Sequence, residues 1–198
     1  MPGESGGTDR GEQAGSGFAQ EAVRRLEPLR TVLLNETHRC DDFVCSKSER
    51  VTGFFSKERH VLIPQNYCRV FILPNPADPT RIWGFYTLSP SALVRSRATG
   101  SEQKRIPPGL PIPMVLIGFM GKQDGTEKGI GAALILDAAR RVHRTPDIPA
   151  WGLMLDSEGG PENAKLWGWY QEQGFVPAKP DDRGKSGVMY ASLKKFAL

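Results

Sequence analysis

GTEKGIGAALILDAARR, Gly125 to Arg141, sets two glycines either side of an isoleucine directly ahead of an amphipathic run. From Ala132 onward Leu134, Ile135, Ala138, Ala139 and Val142 recur at helical spacing, while Asp137, Arg140, Arg141 and Arg144 fall mainly on the other side. The stretch therefore reads as a helix with one buried face. The first turn of a helix leaves backbone N–H groups without intrahelical partners. Gly129 and Gly131 have no side chain to hold a ligand away, and Lys128 adds a positive charge. The donors of Lys128, Gly129, Ile130, Gly131 and Ala132 can thus close around an anion.

Just upstream, PMVLIGFMG (Pro113 to Gly121) is an apolar run bounded by Pro and Gly, which reads as a buried strand. Strand, glycine loop, helix is the usual setting for phosphate binding. Two named motifs are nevertheless missing: a P-loop ends in Gly-Lys-Ser/Thr, and a dinucleotide fingerprint has a third glycine and an acidic residue about twenty positions on. On the glycines alone, a tight strand-to-helix turn explains the loop equally well.

The remaining sequence bounds the answer. A chain of 198 residues favours one domain with a core of its own. Lys and Arg number 26 against 22 Asp and Glu, for a formal charge of +4 and a pI near 9.0, a mild basic bias that suits an anionic cofactor or nucleic acid. Three cysteines, Cys40, Cys45 and Cys68, with no secretory segment ahead of them, lead us to expect a reducing, cytoplasmic setting. No apolar stretch approaches the about twenty residues of a membrane span. His38 and His60 with Cys40 and Cys45 match no common paired-ligand spacing, so no metal is expected.

Along the chain, residues 1–17 are rich in Gly, Ser and Glu and lack large apolar side chains after Met1, so a disordered N-terminal tail is expected, with the folded domain over 18–198. QEAVRRLEPLR reads as a short helix stopped at Pro28, and TVLLNETHR as a first strand or a helix end. Asp42 to Arg59 reads as a broken helical segment. CRVFIL (68–73) and RIWGFYTLS (81–89) form a strand pair across a turn-rich connection. The polar, proline-bearing excursion between Val94 and Pro113 is too long for a turn and is a candidate for substrate contact. WGLMLD (151–156), a helix over KLWGWYQEQ ending at Gly174, and a last strand in GVMYASL (187–193) complete the pattern.

Two motifs in this order carry a resemblance. The glycine loop is similar to the Q/R-x-x-G-x-G/A loop of the GNAT N-acetyltransferases, and Asn163 with Tyr170, Gly174 and Phe175 is similar to their Asn…Tyr-x-x-x-Gly-Phe segment. The resemblance implies an α/β GNAT fold: a central mixed, twisted sheet splayed at the acetyl-CoA site and flanked by helices. Thr126 departs from the pattern, standing where the loop usually has Gln or Arg. A looser likeness over most of Asp42 to Leu193, in FVCSKSERVTGFFSKERH, RIWGFYTLSPSAL and PPGLPIPMVLIG, resembles the GNAT toxins of bacterial toxin–antitoxin operons. That likeness implies an enzyme that uses acetyl-CoA to acetylate the α-amino group of an aminoacyl-tRNA. It also implies a small ribbon-helix-helix antitoxin as partner, and a homodimer.

The resemblance assigns roles by position. Backbone N–H groups at Phe119, Met120 and Gly121 would meet the thioester carbonyl, Asn163 belongs to the cofactor segment, and Tyr170 would donate its phenolic proton to the leaving thiolate, which suits an ordinary phenol pKa near 10. By spacing alone Tyr170 reads first as a core aromatic beside Trp167 and Trp169, and it is the resemblance that favours the catalytic role. Arg95, Arg97, Lys104 and Arg105 are candidates for contact with tRNA phosphates. An acetyltransferase for a small amine or a protein terminus, and a CoA-binding module without turnover, stand as alternative readings.

Overall fold

Neighbouring residues on β-strands face opposite ways, and here that alternation places hydrophobic cores on both faces of one sheet. The computed structural model describes residues 30–198 apart from 101, 146, 183, 185, 186 and 197. The expected tail over 1–17 and most of the helix around Pro28 lie outside the described residues. The strands are β1 (Val32–Leu33), β2 (Arg69–Asn75), β3 (Asp78–Leu93), β4 (Ile112–Lys122), β5 (Gly152–Asp156), β6 (Val176–Pro177) and β7 (Val188–Ser192), ordered β1-β2-β3-β4-β5-β7-β6. Only β4 and β5 pair in parallel; the other neighbours are antiparallel.

The longest helix, α3 (Ile130–His143), returns the chain from β4 to β5. Its Leu134, Ile135, Ala138, Ala139 and Val142 are buried against Leu73 and Tyr86 on one arm of the sheet and Ile117, Leu153, Leu155 and Met189 on the other. Each large aliphatic side chain so buried contributes about 1.5–3 kcal/mol. On the opposite face Phe43, Phe54, Phe55, Ile72 and Phe85 form a second core. The adjacent pairs Ile72/Leu73 and Phe85/Tyr86 divide between the two cores as strand alternation requires.

A helical segment covers that second face: α1 (Glu49–Gly53), a π turn (Phe54–Glu58) and a last turn (Arg59–Leu62). The π turn is the physical form of the expected break, and it lets the consecutive Phe54 and Phe55 both be fully buried. Asp137 and Arg141 depart from the exposed face read from the sequence. Tyr86 Oη donates to Asp137 Oδ2 at 2.5 Å and accepts from Arg141 Nε at 3.2 Å. These bonds pin α3, and so the loop before it, to the middle of β3.

The excursion 94–111 contains a short helix α2 (Glu102–Arg105) and folds back onto the sheet. Ala98 is fully buried, and Thr99 N–H donates to Tyr190 Oη at 2.7 Å. Downstream, α4 (Ala164–Glu172) follows β5. The three cysteines are free and buried. Among the described residues no helix is long and apolar enough to cross a membrane, and no group of three or more His, Cys, Asp or Glu gathers.

Candidate active site

The site begins at a defect in the β3–β4 ladder. Tyr86 pairs with Met120 and Leu88 with Ile117, so the single residue Thr87 faces the two residues Gly118 and Phe119, a β-bulge in β4. Phe119 N–H donates to Thr87 Oγ1 at 2.9 Å. On its other edge β4 pairs with β5 only from Met114 to Ile117. From the bulge onward the two parallel strands have no register in common, which leaves an opening in the ladder between their edges. Phe119 N–H turns toward β3, and so does Gln123 N–H, which donates to Trp83 O at 2.8 Å. Alternation along the strand therefore turns Met120 N–H the other way, into the opening. Of the three residues expected to meet a carbonyl, the geometry gives the free donor to Met120. Gly121 has a packing reason: a Cβ there would collide with Val51 Cγ1 of α1.

The glycine loop leaves the end of β4 and is held from several sides. Lys122 Nζ donates to Thr126 O at 2.7 Å and Thr126 Oγ1 at 3.1 Å, and Thr126 Oγ1 donates to Gln123 O at 2.6 Å. Ser46 N–H donates to the Asp124 carboxylate at 3.0 Å, and Val44 N–H to Gln123 Oε1 at 2.8 Å. Thr126, the departure from the expected loop pattern, is thus a brace of the loop. Gly129, with φ of 94°, occupies the left-handed region and precedes α3 without any side-chain cap. The first-turn N–H groups are left for an external acceptor. Lys128 is exposed beside them, Ile130 is buried, and Ala132 is half-buried. Gly131 has a second role absent from the sequence argument: a Cβ there would stand 3.1 Å from Trp169 Cζ2, so the glycine seats α4 against α3.

Tyr170 lies on α4, only 9% exposed, with its ring 5.0 Å from Trp169 and 5.9 Å from Phe175. Its hydroxyl has no hydrogen-bond partner among the described residues and is not among the fully buried polar atoms. Burial, and secondarily the negative charge of Glu158, push its pKa up to about 12. Asn163 is the N-cap of α4: its Oδ1 accepts from Leu166 N–H at 3.4 Å, and its Nδ2 donates to Glu158 O at 3.3 Å. Asn163 shapes the turn between β5 and α4.

Ser48, the N-cap of α1, was not legible as a site residue. Its hydroxyl donates to Glu158 Oε2 at 2.7 Å across 110 residues of sequence and so joins the start of α1 to the end of β5. Exposed Lys47 and Arg50 flank it, with the Arg50 guanidinium 4.9 Å from the centre of the Phe119 ring.

The basic cluster expected to contact substrate is not brought to this opening. Leu93 pairs with Ile112 at the far end of β4, and the eight residues from Ile112 to Met120 span roughly 26 Å of strand. Arg95 Nε donates to Ile106 O at 2.7 Å and Arg97 Nε to Lys179 O at 2.9 Å, so both brace the excursion. Lys104 is exposed in α2, which ends at Arg105.

No protein-family model matches the sequence. Among solved structures, the chain is similar to AtaT complexed with acetyl-methionyl-tRNAfMet, at 21% identity and a TM-score of 0.72, over 85% of this chain and 97% of that one. It is similar to a Tyr-to-Phe variant of KacT at 20% identity and a TM-score of 0.71, over 85% and 97%. A third similar structure, AtaTR bound with AcCoA, has 20% identity and a TM-score of 0.66, over 85% and 96%. With the seven-stranded mixed sheet and its flanking helices, these likenesses establish the GNAT fold.

Proposed function

We propose that the chain is an acetyl-CoA-dependent N-acetyltransferase whose acceptor is the α-amino group of an aminoacyl-tRNA. The observation that carries this reading is the break in the β4–β5 ladder at the β4 bulge, with the Met120 N–H turned into it, together with a Tyr170 phenol, on the helix after β5, that has no hydrogen-bond partner among the described residues. The diphosphate of acetyl-CoA is assigned to the uncapped start of α3, with Lys128 alongside, and the arm to the gap between β4 and β5. The brace on Thr126 supports a loop whose backbone donors are held in place without a Gln or Arg. The solved structures with AcCoA and with acetyl-methionyl-tRNAfMet support the choice of cosubstrate and acceptor.

The neutral amine attacks the thioester carbonyl, and the oxyanion that develops takes the Met120 N–H. Collapse breaks the C–S bond and releases the thiolate, while the amine nitrogen gives its extra proton to solvent. A phenol at about 12 is a much weaker acid than a thiol, whose ordinary value is about 8.5. Tyr170 therefore lends a hydrogen bond to the departing sulfur, and solvent supplies the final proton. Lys47 and Arg50 stand where nucleic-acid phosphates would approach the opening. AtaT also appears bound to the C-terminus of the antitoxin AtaR, which supports a small ribbon-helix-helix antitoxin as a partner; a homodimer is the assembly to test.

The experiment is mass spectrometry of charged tRNA after incubation with the protein and labelled acetyl-CoA. Label on the aminoacyl nitrogen supports the reading. Thiol release with small amines but not with charged tRNA would reassign the acceptor, and acetyl-CoA binding without thiol release would leave a binding module.

A further inference from the structure

Ser157 follows the last residue of β5, and its Oγ is fully buried with no hydrogen-bond partner among the described residues. The residue is 4% exposed, whereas Asp156 and Glu158 on either side are exposed. Ser157 N–H donates to Gly187 O at 2.8 Å, so the ladder with β7 runs one residue past β5. Alternation then turns the Ser157 side chain to the face of Leu153 and Leu155, the face whose core also contains Ile130, Leu134 and Tyr170. Leu155 stands opposite Ile117. Two residues further on, Ser157 is level with Phe119, the second residue of the bulge and the neighbour of Met120, where the β4–β5 pairing has ended. The hydroxyl thus borders the opening from the β5 side, as the Met120 N–H does from the β4 side.

A buried hydroxyl without a partner is costly, and such groups are rare in folded proteins. Alanine would fill the same place at no such cost. The cost is removed when a ligand supplies the acceptor.

We infer that Ser157 is a positioning residue whose hydroxyl donates to a carbonyl at the thioester end of the acyl-CoA arm and sets the reacting carbon between Met120 N–H and the Tyr170 phenol. The inference rests on the acetyl-CoA reading above. It assigns to the β5 side of the opening a contact that neither the glycine loop nor the tyrosine motif contains.

The test is calorimetric titration of wild type and Ser157→Ala with two ligands: acetyl-CoA, and adenosine 3′-phosphate 5′-diphosphate, which carries the diphosphate but no arm. The variant is expected to bind acetyl-CoA roughly 2- to 10-fold more weakly, the size of one net hydrogen bond, and to bind the nucleotide with unchanged affinity. Without ligand it should melt at the same or a higher temperature, because only a hydroxyl without a partner has been removed. Equal acetyl-CoA affinities, equal weakening toward both ligands, or a lower melting temperature without ligand would each overturn the inference. Wild-type protein that binds neither ligand would overturn the acetyl-CoA reading itself, and this inference with it.

Discussion

Replacing Tyr170 by Phe isolates one atom of the proposed site. The hydroxyl has no hydrogen-bond partner among the described residues, while the ring packs against Trp169 and Phe175. The variant should therefore keep its melting temperature and its affinity for acetyl-CoA. The loss falls on the chemical step. Because the phenol is held at about 12, it lends the leaving sulfur a hydrogen bond rather than a full proton, and a hydrogen bond to a charged group contributes about 1.5–3 kcal/mol. At about 1.4 kcal/mol per factor of ten, acetyl transfer should slow roughly 10- to 150-fold, short of the about 10²–10⁴-fold of full general acid catalysis. Single-turnover transfer from labelled acetyl-CoA separates this from product release. The same raised pKa sets the sign of the pH dependence. The phenol keeps its proton throughout the working range, so the rate should rise as the acceptor amine, with a pKa near 8, becomes neutral, and should show no fall from Tyr170 below about pH 11. A Phe variant with the wild-type single-turnover rate would make Tyr170 a core aromatic and refute the reasoning.

Three further outcomes follow from the same geometry. Gly131→Glu should abolish CoA binding in calorimetry, since it sets a carboxylate at the uncapped helix start and crowds Trp169; unchanged affinity in a folded variant removes the loop from the site. Gly121→Ala should destabilise the fold by about 1–3 kcal/mol in urea titrations through its collision with Val51, and adding Val51→Ala should recover part of that loss, whereas additive losses would show that the two positions do not meet. Charge reversal at Lys47 and Arg50 should weaken tRNA binding and flatten its salt dependence, while reversal at Arg95 and Arg97 should mainly lower the melting temperature; the opposite pattern would return the substrate surface to the far end of β4.

Much of the fold was legible because its signals are local. The spacing of Leu134, Ile135, Ala138, Ala139 and Val142 fixes a helix whatever it packs on, and all five are buried in α3. The apolar runs that became β2 to β5 and β7 were readable for the same reason, although their ends were not: β3 extends to Leu93 because β4 offers it a partner that far. The two-residue β6 carries no periodicity of its own and exists by pairing with β7. The glycine loop and Tyr170 could be singled out as site candidates because their spacing along the chain is itself the motif.

What tertiary structure decided is which groups are already spent. Composition leaves the places of Arg95 and Arg97 open, whereas the fold has their Nε–H groups donating to the carbonyls of Ile106 and Lys179, beyond the Leu93–Ile112 end of the ladder. The cofactor motif includes Asn163, whose side chain caps α4. Conversely, Ser48 and Glu158 meet across 110 residues, and the buried Ser157 hydroxyl, at the level of the bulge, has no partner among the described residues. The residues written in the sequence set the hydrogen-bonding capacity of each group. How much of that capacity remains for a substrate depends on contacts between distant segments, and those contacts exist only once the sheet has brought β4, β5 and α1 together.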